Sequence, residues 1–157
     1  MTRLLLLPLL LLFAASVHGQ GFMARWDTDR PGSNNDQIAI PTNPVFTYSY
    51  AVDWGDGTTD NNVTGDITHT YAAPGIYVIE ISGTFPAIYF NDGGDRRKII
   101  EILLWGTIQW QSMEDAFHGC ENLNFDAIDA PDLSQVTSLK NMFRGGSLLN
   151  GIVNNWN

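Results

Sequence analysis

A stretch of this sequence repeats itself, and that limits the fold more than composition does. Units of one length must stack on their neighbours to bury an apolar face. Phe117 aligns with Phe143 at an offset of 26, which also superposes Met113 on Leu139, Ala116 on Met142, Gly119 on Gly145, Leu123 on Leu149 and Asn124 on Asn150. Trp110 meets Val136 at the same offset. The unit reads as a short helix, a glycine turn, a Leu-Asn step and a short extended piece, and residues 99–105 precede it as a nearly continuous apolar strand. Glu114 and Asp115 fall at the expected helix start. Adjacent carboxylates there suit the helix dipole and do not face each other as an acid/base couple.

Upstream, the period changes from 26 to two. Phe46, Tyr48, Tyr50, Val52 and Trp54 alternate with Thr47, Ser49, Ala51 and Asp53, which predicts a half-buried strand with one aromatic face. The strand runs into the turn Gly55-Asp56-Gly57-Thr58, where Asp56 can fold its carboxylate onto turn amides. After a polar loop, Ile67, His69 and Tyr71 alternate again, Ala73-Pro74-Gly75 turns the chain, and Tyr77, Ile79 and Ile81 alternate up to Gly83. Residues 26–36 are dense in turn formers and read as a loop. Gln37 to Ile40, ahead of Pro41, permits a short edge strand. Short alternating strands between glycine turns predict an antiparallel sandwich, with Trp54 in its core and His69 as a hydrogen-bonded structural residue.

Val52-Asp53-Trp54-Gly55-Asp56-Gly57-Thr58, His69-Thr70-Tyr71 and Gly75-Ile76-Tyr77-Val78-Ile79-Glu80-Ile81 together resemble the PKD domain family. They follow its W-G-D-G, H-x-Y and G-x-Y-x-V signatures, with Ile79 in place of the last valine. The motif residues carried over are Trp54, Gly55, Asp56, Gly57, His69, Tyr71, Gly75 and Tyr77. The resemblance implies an immunoglobulin-like β-sandwich, a spacer or binding module of extracellular proteins without catalysis, to which the segment from Phe22 adds a strand. Downstream, Trp105-Gly106-Thr107, residues 112–123, Asp132-Leu133-Ser134-Gln135-Val136-Thr137 and Asn141-Met142-Phe143-Arg144-Gly145 are similar to the BspA-like leucine-rich-repeat surface proteins. The first unit departs from that pattern at Trp110-Gln111-Ser112, as suits a capping repeat. This resemblance implies a leucine-rich-repeat-like α/β solenoid used in surface adhesion. The expected fold is thus mainly β: a PKD-type sandwich over 20–95, then the start of the solenoid over 96–157. Two units fall short of the roughly three that a stable stack needs, so the chain is expected to be the N-terminal piece of a longer protein or a truncated product.

Residues 1–19 have a short basic start and an apolar run from Leu4 to Ala15, which reads as a signal peptide cut after Gly19. The run is shorter than the roughly 20 residues of a spanning helix, so no transmembrane segment is expected in the mature chain, and the expected location is secreted or cell-surface. Removing Arg3 with the leader leaves 17 acidic against 7 basic groups. Nucleic acid is not an expected partner, because phosphate binding needs a basic surface. The lone Cys120 has no internal disulfide partner and reads as a small core residue.

Searching for chemistry gives little. His69, His118 and one cysteine do not supply a zinc site, and no nucleophile elbow or phosphate-binding glycine loop occurs. No other cofactor is expected. Asp53, Asp56 and Asp60 around one glycine turn, and Asp92 with Asp95 around another, are oxygen sets that calcium can use; solvated turn aspartates are the preferred reading. Arg96-Arg97-Lys98 reads as a solvated edge or inter-domain contact. Asn62-Val63-Thr64 is a glycosylation sequon. Trp105, Trp110 and Trp156 are either core or ligand-contact residues. Two functions remain: a non-catalytic adhesion protein that contacts an extracellular protein, matrix or carbohydrate through its repeats, or the accessory N-terminal region of a larger secreted hydrolase.

Overall fold

The computed structural model describes residues 20–147 and Trp156. The expected leader, residues 1–19, and the repeat positions Leu149 and Asn150 lie outside the described residues. The chain is mainly β, with eight strands and no helix among the described residues. They are β1 (Phe22–Asp27), β2 (Gln37–Ile40), β3 (Ser49–Asp53), β4 (Thr59–Val63), β5 (Ile67–Thr70), β6 (Ile76–Thr84), β7 (Ile99–Leu104) and β8 (Asn124–Phe125). Six form one sheet in the order β4-β3-β6-β1-β7-β8, antiparallel except for the parallel β7–β8 pair, and β2 pairs antiparallel with β5 in a second sheet.

The alternating aromatic face is where its period places it. Tyr48, Tyr50, Val52 and Trp54 are buried and Phe46 packs at the edge of the core. The strand itself is shorter than the alternation, because the Phe46 N–H donates to the Asn43 carbonyl and closes a turn ahead of it. Ile79 and Ile81 of β6 and Ile38 and Ile40 of β2 complete this part of the core.

Four expectations change. Trp26 and Asp27 lie in β1, not in the expected loop, and β1 is a central strand: Phe22 to Asp27 pair with Ile81 to Ile76 on one side, and Met23 to Trp26 pair with Leu104 to Ile99 on the other. The polar loop after Thr58 contains β4, whose side chains are mostly exposed; an edge strand with little to bury carries no apolar alternation for a sequence reading to find. Residues 114–119 are turns, not a helix, since Asp115 takes φ 51° and Gly119 φ 78°, both left-handed and incompatible with a continuous right-handed helix. Their backbone donors point across to the next unit, as described below. Lys98, expected at a solvated edge or an inter-domain contact, is buried.

Lys98 ties the loop after β1 to the turn before β7. Its Nζ donates to the carbonyl oxygens of Ser33 (3.1 Å), Asn34 (2.7 Å) and Gln37 (2.9 Å), and lies 3.0 Å from the Ser33 Oγ. Asp95, also buried, accepts from the Ser33 N–H, the Ser33 hydroxyl and the Ala39 N–H at 2.6–2.8 Å. Burial pulls the Lys98 ammonium below its ordinary pKa, and Asp95 opposes that shift. A buried amine and a buried carboxylate are tolerated because oxygens and N–H groups satisfy both.

Candidate functional site

The motif residues between Trp54 and Tyr77 meet around one aromatic file. Trp54 stacks on His69 with ring centroids 4.7 Å apart, His69 meets Tyr71 edge-on at 4.5 Å, and Tyr71 stacks on Tyr77 at 3.7 Å. The Tyr71 hydroxyl donates to the Trp54 carbonyl and the Tyr77 hydroxyl to that of Ala73. His69 Nε2 lies 2.9 Å from Asp56 Oδ2, which joins the second sheet to the turn after β3. Gly55 permits this turn: its φ is 75°, and a side chain there would run into the Val78 carbonyl. Gly57 also takes a positive φ, 89°, and the Gly75 N–H donates to Thr28 Oγ1.

The acidic residues around this turn work singly. Asp53 accepts from the Gly55 N–H, Asp60 accepts from the Trp54 indole, and Asp56 accepts from the Thr58 N–H and hydroxyl. Asp92 pairs with Arg96 at 3.0 Å, while Asp95 turns inward to Ser33. Among the described residues, no three His, Cys, Asp or Glu side chains converge to hold a metal ion.

The Thr58 hydroxyl foremost, and His69 with it, hold the Asp56 carboxyl down at about 2. A carboxylate depressed in the folded state contributes stability that is fully present above its unfolded value near 4 and is lost as pH falls through 2. Thermal midpoints taken from pH 5 to pH 2 are therefore expected to fall less steeply in Asp56→Asn than in the native chain. Parallel curves for the two would refute that.

The repeated segment has a regular geometry. The N–H groups of Met113, Asp115, Phe117 and Gly119 donate to the carbonyls of Ser138, Lys140, Met142 and Arg144 at 2.7–2.9 Å. Every second residue of one unit thus bonds the next unit. Side chains repeat the link on the flank: Lys140 to Glu114, Gln109 to Asp132 and the Ser147 hydroxyl to the Glu121 carbonyl. Asp129 accepts from the N–H groups of both Trp105 and Gly106. Inside, Phe117 and Phe143 stack at 5.7 Å.

A third layer lies before these two, and sequence reasoning missed it. Gln111 donates to the Pro86 carbonyl, and the N–H groups of Phe90, Asn91 and Asp92 donate to the carbonyls of Ala116, Asp115 and His118. Phe90 stands 6.3 Å from Phe117. Residues 86–92 also contact the second-sheet side, through the Thr42–Ile88 bridge and the Tyr89 N–H on the Pro41 carbonyl. The stack begins against the segment that follows β2.

Trp105 and Trp110 are core residues at 1% and 0% exposure, clustered with Phe22 and Phe117. Neither offers a ring face to a ligand. Trp156 meets Trp105 at 5.2 Å and lines, with Leu139, Asn141, Met142, Phe143 and Arg144, an apolar cleft of about 380 Å³. Asn62 is exposed on β4 with φ 57°. Cys120 is buried, and burial pushes its thiol pKa up, away from reactivity.

Residues 97–157 match a family described as Mycoplasma protein of unknown function, DUF285. The DUF285 match starts beside Lys98 and takes in β7 and both units of the bonded stack, so the segment in which the ladder was traced is the segment the family covers. It is compatible with a surface protein. No curated protein and no solved structure matches the chain. No helix among the described residues is long and apolar enough to cross a membrane.

Proposed function

We propose that the chain is an exported, non-catalytic binding protein of the cell surface or the secreted fraction. In this reading a PKD-like β-sandwich is the spacer, and a leucine-rich-repeat stack related to the BspA-like proteins makes the contacts, with an extracellular protein, matrix or carbohydrate as ligand. The observation that carries it is the backbone ladder from residues 113–119 to residues 138–144. A ladder of this kind uses the recurring residues for stacking and leaves the side chains between them free to vary, as a multivalent contact surface requires. The DUF285 match over the same residues supports the reading. The aspartates and histidines that suggested chemistry are engaged in turns and strand links, which favours binding over catalysis.

The purified chain from Gln20 onward, presented to immobilised matrix proteins, cells and polysaccharides, is expected to bind a protein or matrix ligand saturably. Retention by polysaccharide alone, with no protein partner, counts against adhesion through the repeats; bond cleavage in any of these substrates counts against a non-catalytic role.

A further inference from the structure

The chain is tied into the fold from the carbonyl of Gln20 onward. That carbonyl accepts from the Thr107 N–H at 2.9 Å and from the Thr107 hydroxyl at 3.3 Å. The Gly21 N–H donates to the Glu80 carboxylate at 2.8 Å. Gly106 passes so close that a side chain there would run into the carbonyls of both residues. Phe22 follows at 1% exposure, paired with Ile81 as the first residue of β1. The anchoring thus starts in the middle of one residue. Gln20 is held by its carbonyl, while the residue is exposed and no hydrogen bond engages its carboxamide among the described residues. The leader read from the sequence places its cut between Gly19 and Gln20, at the same boundary.

We propose that export leaves Gln20 as the amino terminus and that this glutamine closes to pyroglutamate, a modification that rests on the exported reading above. The α-amino nitrogen attacks Cδ of its own side chain, and the new N–Cδ bond closes a lactam ring. The Cδ–Nε2 bond breaks, and the carboxamide nitrogen leaves as ammonia with the proton that the amine gives up. No co-reactant is needed. An α-amino group titrates near 8, so roughly a tenth of it is the uncharged nucleophile at pH 7. The Gln20 carbonyl takes no part, so its bonds to Thr107 survive closure. The closed end has no charge and no primary amine, the group that an aminopeptidase must bind. Trimming Gln20 and Gly21 would remove the acceptor of Thr107 and the donor to Glu80, and would bring the cut to Phe22, where the pairing of the central strand begins. The ring guards the residues that hold the start of β1.

The test expresses residues 1–157 in a secreting host and takes the intact mass of the protein in the medium. A species lighter than Gln20–Asn157 by one ammonia is expected, closed to stepwise N-terminal degradation until pyroglutamyl peptidase has removed the ring. A free Gln20 amine in the medium, or a first residue other than Gln20, overturns the modification and leaves the exported reading standing. Full-length chain retained in the cells overturns both. Closure is also measured without export. The chain released from a fusion partner with Gln20 first is expected to lose ammonia over days at neutral pH, and an unchanged mass overturns the closure. Gln20→Ser keeps the backbone bonds of residue 20 but has no carboxamide. Its terminus is expected to stay open and to be trimmed by an aminopeptidase that leaves the native end intact. Equal trimming of the two, with matching circular dichroism, overturns the protective role.

Discussion

Replacing Lys98 by methionine is expected to remove about 3 kcal/mol of stability, because several buried acceptors lose one shared charged donor. The methionine fills most of the space, so the loss comes from the groups left behind. The carbonyls of Ser33, Asn34 and Gln37 lose a shared donor, and Asp95 keeps its buried charge without the ammonium that offsets it. Each orphaned polar group costs about 1–3 kcal/mol. Chemical denaturation measures the total, and hydrogen exchange locates it: the Ala39 and Ser33 amides, which donate to Asp95, should lose protection first. A loss below about 1 kcal/mol would mean that water replaces the missing donor and the carbonyls are not left unsatisfied.

Phe117→Ala is the second large effect, at about 3–5 kcal/mol for truncating a fully buried phenylalanine. The ring touches Phe22 from β1, Phe90 from the first layer, Trp105 after β7 and Phe143 from the following unit. Few residues are shared so widely, so the loss should reach both ends of the chain. Fluorescence of the buried tryptophans and exchange at Tyr50, in β3, are expected to report one transition moved together. Separate transitions, with Tyr50 protected after residues 113–144 have melted, would show that the sheets around β3 are stable without the repeated units.

The sequence was most legible where burial is one-sided. Tyr48 to Trp54 in the first sheet and Ile67 to Tyr71 in the second bury one face and expose the other, and period two records that directly. Two features were hidden for opposite reasons. β4 buries too little to leave a pattern. The strand from Phe22 was expected from the PKD resemblance, but its central place was hidden, because its partners on both edges lie far along the chain. The layer at 86–92 was missed because Phe90-Asn91-Asp92-Gly93-Gly94 has one residue more between phenylalanine and glycine than Phe117-His118-Gly119, so a search at a fixed offset of 26 passes over it. The helix expected at 114–119 came from apolar spacing alone; the left-handed turns at Asp115 and Asn141, with φ 51° and 55°, are backbone features that such spacing does not encode. At the candidate site, Trp54, His69, Tyr71 and Tyr77 were named as motif residues, but nothing in the sequence placed their rings in one file, since that needs the second sheet to fold over the turn after β3. Asp53, Asp56 and Asp60 each hold a turn or the Trp54 indole, in line with the preferred reading of separate turn aspartates.

The position of β1 has a consequence for how the chain is made. Phe22 pairs with Ile81 and Met23 with Leu104, separations of 59 and 81 residues, so the first strand to be synthesised cannot complete its pairing until Leu104 has been made. Until Leu104 has emerged, Phe22, Ala24 and Trp26 have no complete core to enter. Contacts this distant in sequence slow folding, and a polypeptide secreted from its amino terminus would cross the membrane with its central strand still open.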